Sequence, residues 1–183
     1  MNTYIQSSSI SFILVVVATG LSLSLQPPIY SEQGNYLWLP LGAIVLSYLL
    51  FEYKAILGVF IGTMISGFLF LDAWSSVGGY RFGLIESAIA VISPYLAFLS
   101  IRKFELSPFF NNYKINFRHI TFFVILSATY DAMFKFSHLL LATESDISPS
   151  LLMRHYFLGE IIGGLVFVIF LLKLFDIFVK RLK

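Results

Sequence analysis

The chain of 183 residues contains no cysteine, and only 12% of its residues are charged. Without cysteine there are no disulfides, no thiolate metal sites and no cysteine nucleophile. A water-facing surface needs about 25% charged residues, about twice what this chain has. Cytosolic enzymes, nucleic-acid binders, disordered linkers and disulfide-stapled secreted modules are all excluded on composition. The net charge of +2 is too small to point to an anionic polymer, so no nucleic-acid partner is expected. What the chain has in quantity is apolar residues, 58% of the total with 20 Phe among them, and a mean hydropathy of +0.85. Its natural partner is a lipid bilayer.

A helix crossing a hydrocarbon core of about 30 Å needs about 20 mostly apolar residues. Six segments qualify: Ser8 to Gln26, Leu37 to Phe51, Ala55 to Leu71, Gly83 to Ser100, Arg118 to Ala142 and Tyr156 to Val179. Apolar runs of this length in lipid must satisfy their own backbone and are therefore helical, and the in-out alternation of an outer-membrane barrel is absent. The expected fold is all-α, one polytopic inner-membrane bundle of about six transmembrane helices forming a single domain over residues 1–183. The first span is expected to remain as a helix and not to be a secretory leader, since Met1 to Ser9 holds no Lys or Arg and Ser24-Leu25-Gln26-Pro27 is a poor cleavage site.

Six spans place both chain ends on one side. That side carries Lys54, Arg102, Lys103, Lys114, Arg118, Lys180, Arg181 and Lys183, eight basic residues, and the other carries only Arg81 and Arg154. The positive-inside rule then puts both termini in the cytoplasm of a bacterial cell. Lys173 is close enough to the cytoplasmic end of the last span to snorkel. No soluble output domain is expected after the last span, and any output is expected to pass through a membrane or cytoplasmic protein partner, with the basic loop Ile101 to Arg118 as its docking place.

Ionisable groups inside spans cost about 2.5 to 3.5 kcal/mol each at mid-helix and so mark candidate functional positions. Asp131, Lys135 and His138 fall within about 60° of one another at 100° per residue, one narrow stripe on the fifth span. Asp131 and Lys135, at i and i+4, can pair. Two readings stand: a structural ion pair capped by His138, or a polar wall lining a cavity open to the outside. Glu86 is expected in the first turn of the fourth span and Glu160 in the first turns of the sixth, where helix-end electrostatics alone favour a carboxylate. Yet these groups, with Arg154 and His155, converge on the outer halves of three helices, as a site does. The candidate ligand-binding residues are Trp38, Glu86, Asp131, Lys135, His138, His155 and Glu160.

Gly58, Gly62 and Ser66 form one small-xxx-small row, and Gly159 and Gly163, with Gly164 beside them, form another; both read as helix-packing devices. Pro40 with Gly42, and Pro94, are expected to kink or break their helices. Tyr36 and Trp38 are placed at the outer interface. No hydrolase, protease or metal signature is present, so no catalytic residues, metal or cofactor are expected and the protein is read as a non-enzyme.

Trp38-Leu39-Pro40-Leu41-Gly42, followed by Phe51, Gly58 and Gly62, resembles the Trp-x-Pro-x-Gly opening of the first class of membrane-associated sensor (MASE) domains. The run from Gly83 through Glu86 to Arg102-Lys103 is similar to that family's next helix. Tyr156-Phe157-Leu158-Gly159-Glu160 with Gly163 resembles its late aromatic-x-x-Gly-Asp-x-x-Gly element, with Glu160 in place of Asp. The resemblance spans roughly residues 36 to 175. It implies a bacterial inner-membrane sensory or regulatory module of the kind found at the N-terminus of histidine kinases and diguanylate cyclases, although that family has about eight spans. The expectation is a module that recognises a small ligand or a membrane partner in an outward-facing polar pocket and relays it to a separate protein. A substrate-binding subunit of an energy-coupling-factor vitamin transporter, also of about six spans, and a structural subunit of a larger membrane complex remain alternatives.

Overall fold

The computed structural model describes residues 3–25, 37–70, 79–104, 110–111, 114–115, 117–142 and 153–181. It is a helical bundle: α1 (Thr3–Ser24), α2 (Pro40–Phe51), α3 (Ile56–Phe70), α4 (Gly79–Lys103), α5 (Phe117–Ala142) and α6 (Gly159–Arg181). A single 3-10 turn, Glu52–Ala55, separates α2 from α3, and a wider π-type turn, Met153–Leu158, leads into α6. Between α4 and α5 lies a two-residue antiparallel ladder, β1 (Phe110–Asn111) with β2 (Lys114–Ile115), in which Phe110 faces Ile115. Among the described residues, five stretches are long and apolar enough to cross a membrane: Thr3–Ser24, Pro40–Phe70, Gly79–Lys103, Phe117–Leu141 and Tyr156–Leu174. By length and hydropathy they suit a multi-pass membrane protein.

The 31-residue stretch Pro40–Phe70 is not one straight rod. Glu52 takes φ 53° and ψ −134°, a conformation that L-residues avoid, and its N–H bonds back to the carbonyl of Tyr48, closing α2. Beyond that break, α3 lies along α1 in the same direction. Gly58 faces the backbone of Ser8, Gly62 faces Phe12 and Val15, and Gly20 faces Phe70. A Cβ on Gly58 would overlap the Ser8 backbone, so the Gly58, Gly62, Ser66 row is where these two helices come closest. Ser22 Oγ donates to the carbonyl of Leu37, holding the start of the returning segment against the end of α1.

Helix α2 is the core of the bundle. Every residue from Pro40 to Tyr48 is buried, as expected of a helix apolar on all sides and enclosed by its neighbours. Pro40 does not kink it. It occupies the first turn, where a missing N–H costs nothing and the fixed φ favours helix initiation. Pro94 does lie inside α4, and the helix continues through it. A proline frees carbonyls one turn earlier. The hydroxyl of the buried Tyr48 donates to Val91 O at 3.0 Å, supplying a partner at that place.

The outer helices turn large apolar side chains outwards, among them Ile13, Phe68, Leu141 and Phe170, which suits a lipid surround. Helix α4 starts at Gly79, a turn before the apolar run begins at Gly83, because Tyr80-Arg81-Phe82 joins the helix although it carries a charge. Glu86 is therefore about two turns inside α4 and not in its first turn, which weakens the helix-end explanation for it. Helices α4 and α5 are antiparallel: Glu86 meets His138 at one end, and towards the other Ser100 meets Tyr130 and the Phe98 and Phe123 rings lie 6.1 Å apart. Beyond the Tyr130 end, Arg102 bonds Glu52 at 3.2 Å, an exposed pair that ties the end of α4 to the α2 break.

Candidate functional site

Glu86 of α4, Asp131, Lys135 and His138 of α5 and Glu160 of α6 meet at one end of the bundle, where α5 ends and α4 and α6 begin. Asp131 and Lys135 stand one turn apart on α5, and Lys135 Nζ lies 2.5 Å from Asp131 Oδ2. The same nitrogen donates to Glu160 Oε1 at 2.9 Å, bridging α5 to the first turn of α6. All three are buried: Asp131 is 1% exposed, Glu160 2% and Lys135 8%. His138, one turn farther along α5, does not cap this group. Its Nδ1 lies 2.8 Å from Glu86 Oε1 on α4, so it forms a second inter-helix pair.

Each pair carries an aromatic ring. The Tyr156 ring lies 5.5 Å from Lys135 Nζ, and the Phe82 ring stacks on His138 with centroids 4.6 Å apart. Rings against a lysine ammonium or an imidazole strengthen the positive form through the quadrupole of the π-system. Neither aromatic stood out in the sequence, although a signal is present. Phe82 precedes Glu86 by four residues and Tyr156 precedes Glu160 by four, one helical turn before each acid.

Exposure is graded across the cluster. The Asp131 and Glu160 side chains are 2% exposed, Lys135 is 10%, His138 12% and Glu86 25% exposed. The two acids of the triad are closed off, and exposure rises through Lys135 and His138 to Glu86. Two polar atoms inside have neither a hydrogen-bond nor an ion-pair partner among the described residues: Asp131 Oδ1 and Glu160 Oε2. Unsatisfied buried carboxylate oxygens are rare and require an explanation.

The remaining candidate residues frame this cluster. Trp38 contributes its backbone: its N–H donates to Gly159 O at 3.0 Å. Gly163 sits directly against the Trp38 backbone, and Gly42 against Gly164. The two stretches Trp38–Gly42 and Gly159–Gly164 are thus the two halves of one helix joint between α2 and α6. His155 falls in the π-type turn, and its side chain, like that of Arg154, lies outside the described residues, as does Tyr36. No group of three or more His, Asp or Glu arranged to hold a metal occurs among the described residues.

Chemically, the arrangement can hold a positive charge between carboxylates and can change its pairing when a polar group enters. It offers no nucleophile with an activating base. Compared with family models, with curated proteins and with solved structures, the chain finds no match.

Proposed function

We propose that the protein is a non-enzymatic sensory or regulatory module of the bacterial inner membrane, related to the first class of membrane-associated sensor domains. In this reading α1 to α6 are six spans, both termini are cytoplasmic, and the charged cluster faces outwards. Support for six crossings comes from α1 and α3 running in the same direction, which requires α2 to run back between them. Support for the orientation comes from the count of eight basic residues against two.

The observation that carries the proposal is the graded exposure of the cluster, which rises from the closed Asp131 and Glu160 through Lys135 and His138 to Glu86. A purely structural ion pair has no reason to extend as a polar path towards one end of three helices. A recognition site does, because its ligand or partner must reach it. The relay would follow packed contacts: from Glu160 through the Gly159–Trp38 joint into α2, from Tyr48 to the proline-weakened turn of α4, and so to Arg102 and Glu52.

The absence of cysteine makes a direct test simple. Glu86→Cys and His138→Cys are expected to react with a charged, membrane-impermeant thiol reagent added outside intact cells. Lys54→Cys, at the opposite end of the bundle, is expected to react only after the membrane is permeabilised. Reaction of Lys54→Cys in intact cells would invert the orientation, and no reaction of the first two from either side would make the cluster a sealed structural feature.

A further inference from the structure

The three buried groups at the centre of the cluster do not balance. Asp131 and Glu160 supply two carboxylates and Lys135 supplies one ammonium, so the fully ionised triad holds one negative charge in excess at positions 1% and 2% exposed. Taking one unpaired ion out of water costs several kcal/mol even after relaxation. No second positive group described near the triad compensates it. Of the charged groups facing it, α4 contributes Glu86, which is itself acidic, and α5 contributes His138, which is engaged with Glu86 at 2.8 Å. The π-type turn contributes Tyr156, neutral, and α2 contributes the Trp38 backbone.

The unpaired atoms point the same way. Lys135 Nζ pairs with one oxygen of each carboxyl, Asp131 Oδ2 and Glu160 Oε1, and leaves Asp131 Oδ1 and Glu160 Oε2 with no hydrogen-bond partner among the described residues. A proton placed on one carboxyl converts an orphaned acceptor into a donor, and the other carboxylate is the acceptor within reach of the shared lysine. One hydrogen ion removes the excess charge and satisfies two orphaned atoms. It needs no cavity, and the triad is closed to solvent. Two carboxylates sharing a site with too few counter-charges behave in this way because both cannot ionise together.

We propose that Asp131 and Glu160 form a binding site for a single proton, carried at neutral pH on one of the two carboxyls and hydrogen-bonded to the other beside Lys135. Uptake converts one carboxylate to a carboxylic acid, and release leaves the triad one negative charge in excess, ready for a cationic group in its place. The proposal rests on charge balance and is independent of what the Glu86–His138 end recognises.

The test is infrared difference spectroscopy on the full chain in lipid bilayers at pH 7, with the carboxyl carbons of Glu or of Asp isotopically labelled to show which residue type carries the signal. The expected result is a carbonyl band of one un-ionised carboxylic acid per chain, shifted by the Glu or by the Asp label and unmoved by sodium or potassium chloride. Glu160→Gln and Asp131→Asn, which mimic the protonated partner, should each abolish that band. An absent band overturns the proposal. So does a band that sodium or potassium ions remove, since the site would then take a metal cation, or a band that survives in both variants.

Discussion

Lys135→Met is expected to be among the most damaging single substitutions in the protein, costing about 3 to 5 kcal/mol, because it leaves Asp131 and Glu160 buried together with no counter-charge. The lysine is the shared partner: its nitrogen lies 2.5 Å from one carboxylate and 2.9 Å from the other. Methionine fills much of the same volume, so the loss measures charge and not a cavity. Unfolding in mixed micelles or bicelles reads it directly. Glu160→Gln alone should cost much less, since one carboxylate and one ammonium remain as a balanced pair. Combining Lys135→Met with Asp131→Asn and Glu160→Gln should recover most of what the lysine substitution loses. Equal losses from Lys135→Met and Glu160→Gln would contradict the charge count.

The second large effect is steric. A side chain at Gly163 would overlap the backbone N, C and O of Trp38, and backbone atoms cannot swing aside as the tip of a side chain can. Gly163→Ala is expected to cost about 1 to 3 kcal/mol by overpacking, and Gly163→Leu more. Either forces α6 away from α2 and breaks the 3.0 Å bond from Trp38 N–H to Gly159 O, which lies next to Glu160 in the chain. The joint and the charged cluster should therefore fail together. Gly20→Ala is the control. Its new Cβ meets only the tip of the Phe70 ring at 3.6 Å, an ordinary contact, and a mid-helix glycine gains about 0.5 to 1 kcal/mol on becoming alanine. A Gly163→Ala protein as stable as Gly20→Ala would mean that the α2–α6 joint is looser than the structure places it.

These expectations divide according to what could be read from the chain alone. Helical class follows from the length of the apolar runs, and the i, i+4 pairing of Asp131 with Lys135 from the helical period, because both partners sit on one element. The Glu86–His138 pair does not, because it depends on how α4 packs on α5, and the one-dimensional pattern assigned His138 to the nearest charges on its own helix. The same holds for the glycines. Each small-residue row was legible as a packing device, but that Gly159 and Gly163 receive the backbone of Trp38 is a tertiary fact with no local signature. Pro40 and Pro94 illustrate a third case: the same residue starts one helix and lies inside another, and the Tyr48 hydroxyl that supports the Pro94 turn at Val91 O comes from a different helix. The start of α4 was misplaced because Arg81 interrupts the apolar run while the backbone remains helical.

On the proposed reading the Asp131–Lys135–Glu160 group does not hold the fold together. Buried ion pairs replaced as a unit by apolar residues of similar volume leave a protein equally stable or more so, by about 1 to 4 kcal/mol, whereas groups that hold the fold together do not. The most direct measurement is therefore the unfolding free energy, in lipid bicelles, of the triple variant Asp131→Leu, Lys135→Met, Glu160→Leu beside the wild type. A triple variant at least as stable as the wild type is the predicted result. A triple variant destabilised by several kcal/mol would contradict the claim and make the cluster a structural staple.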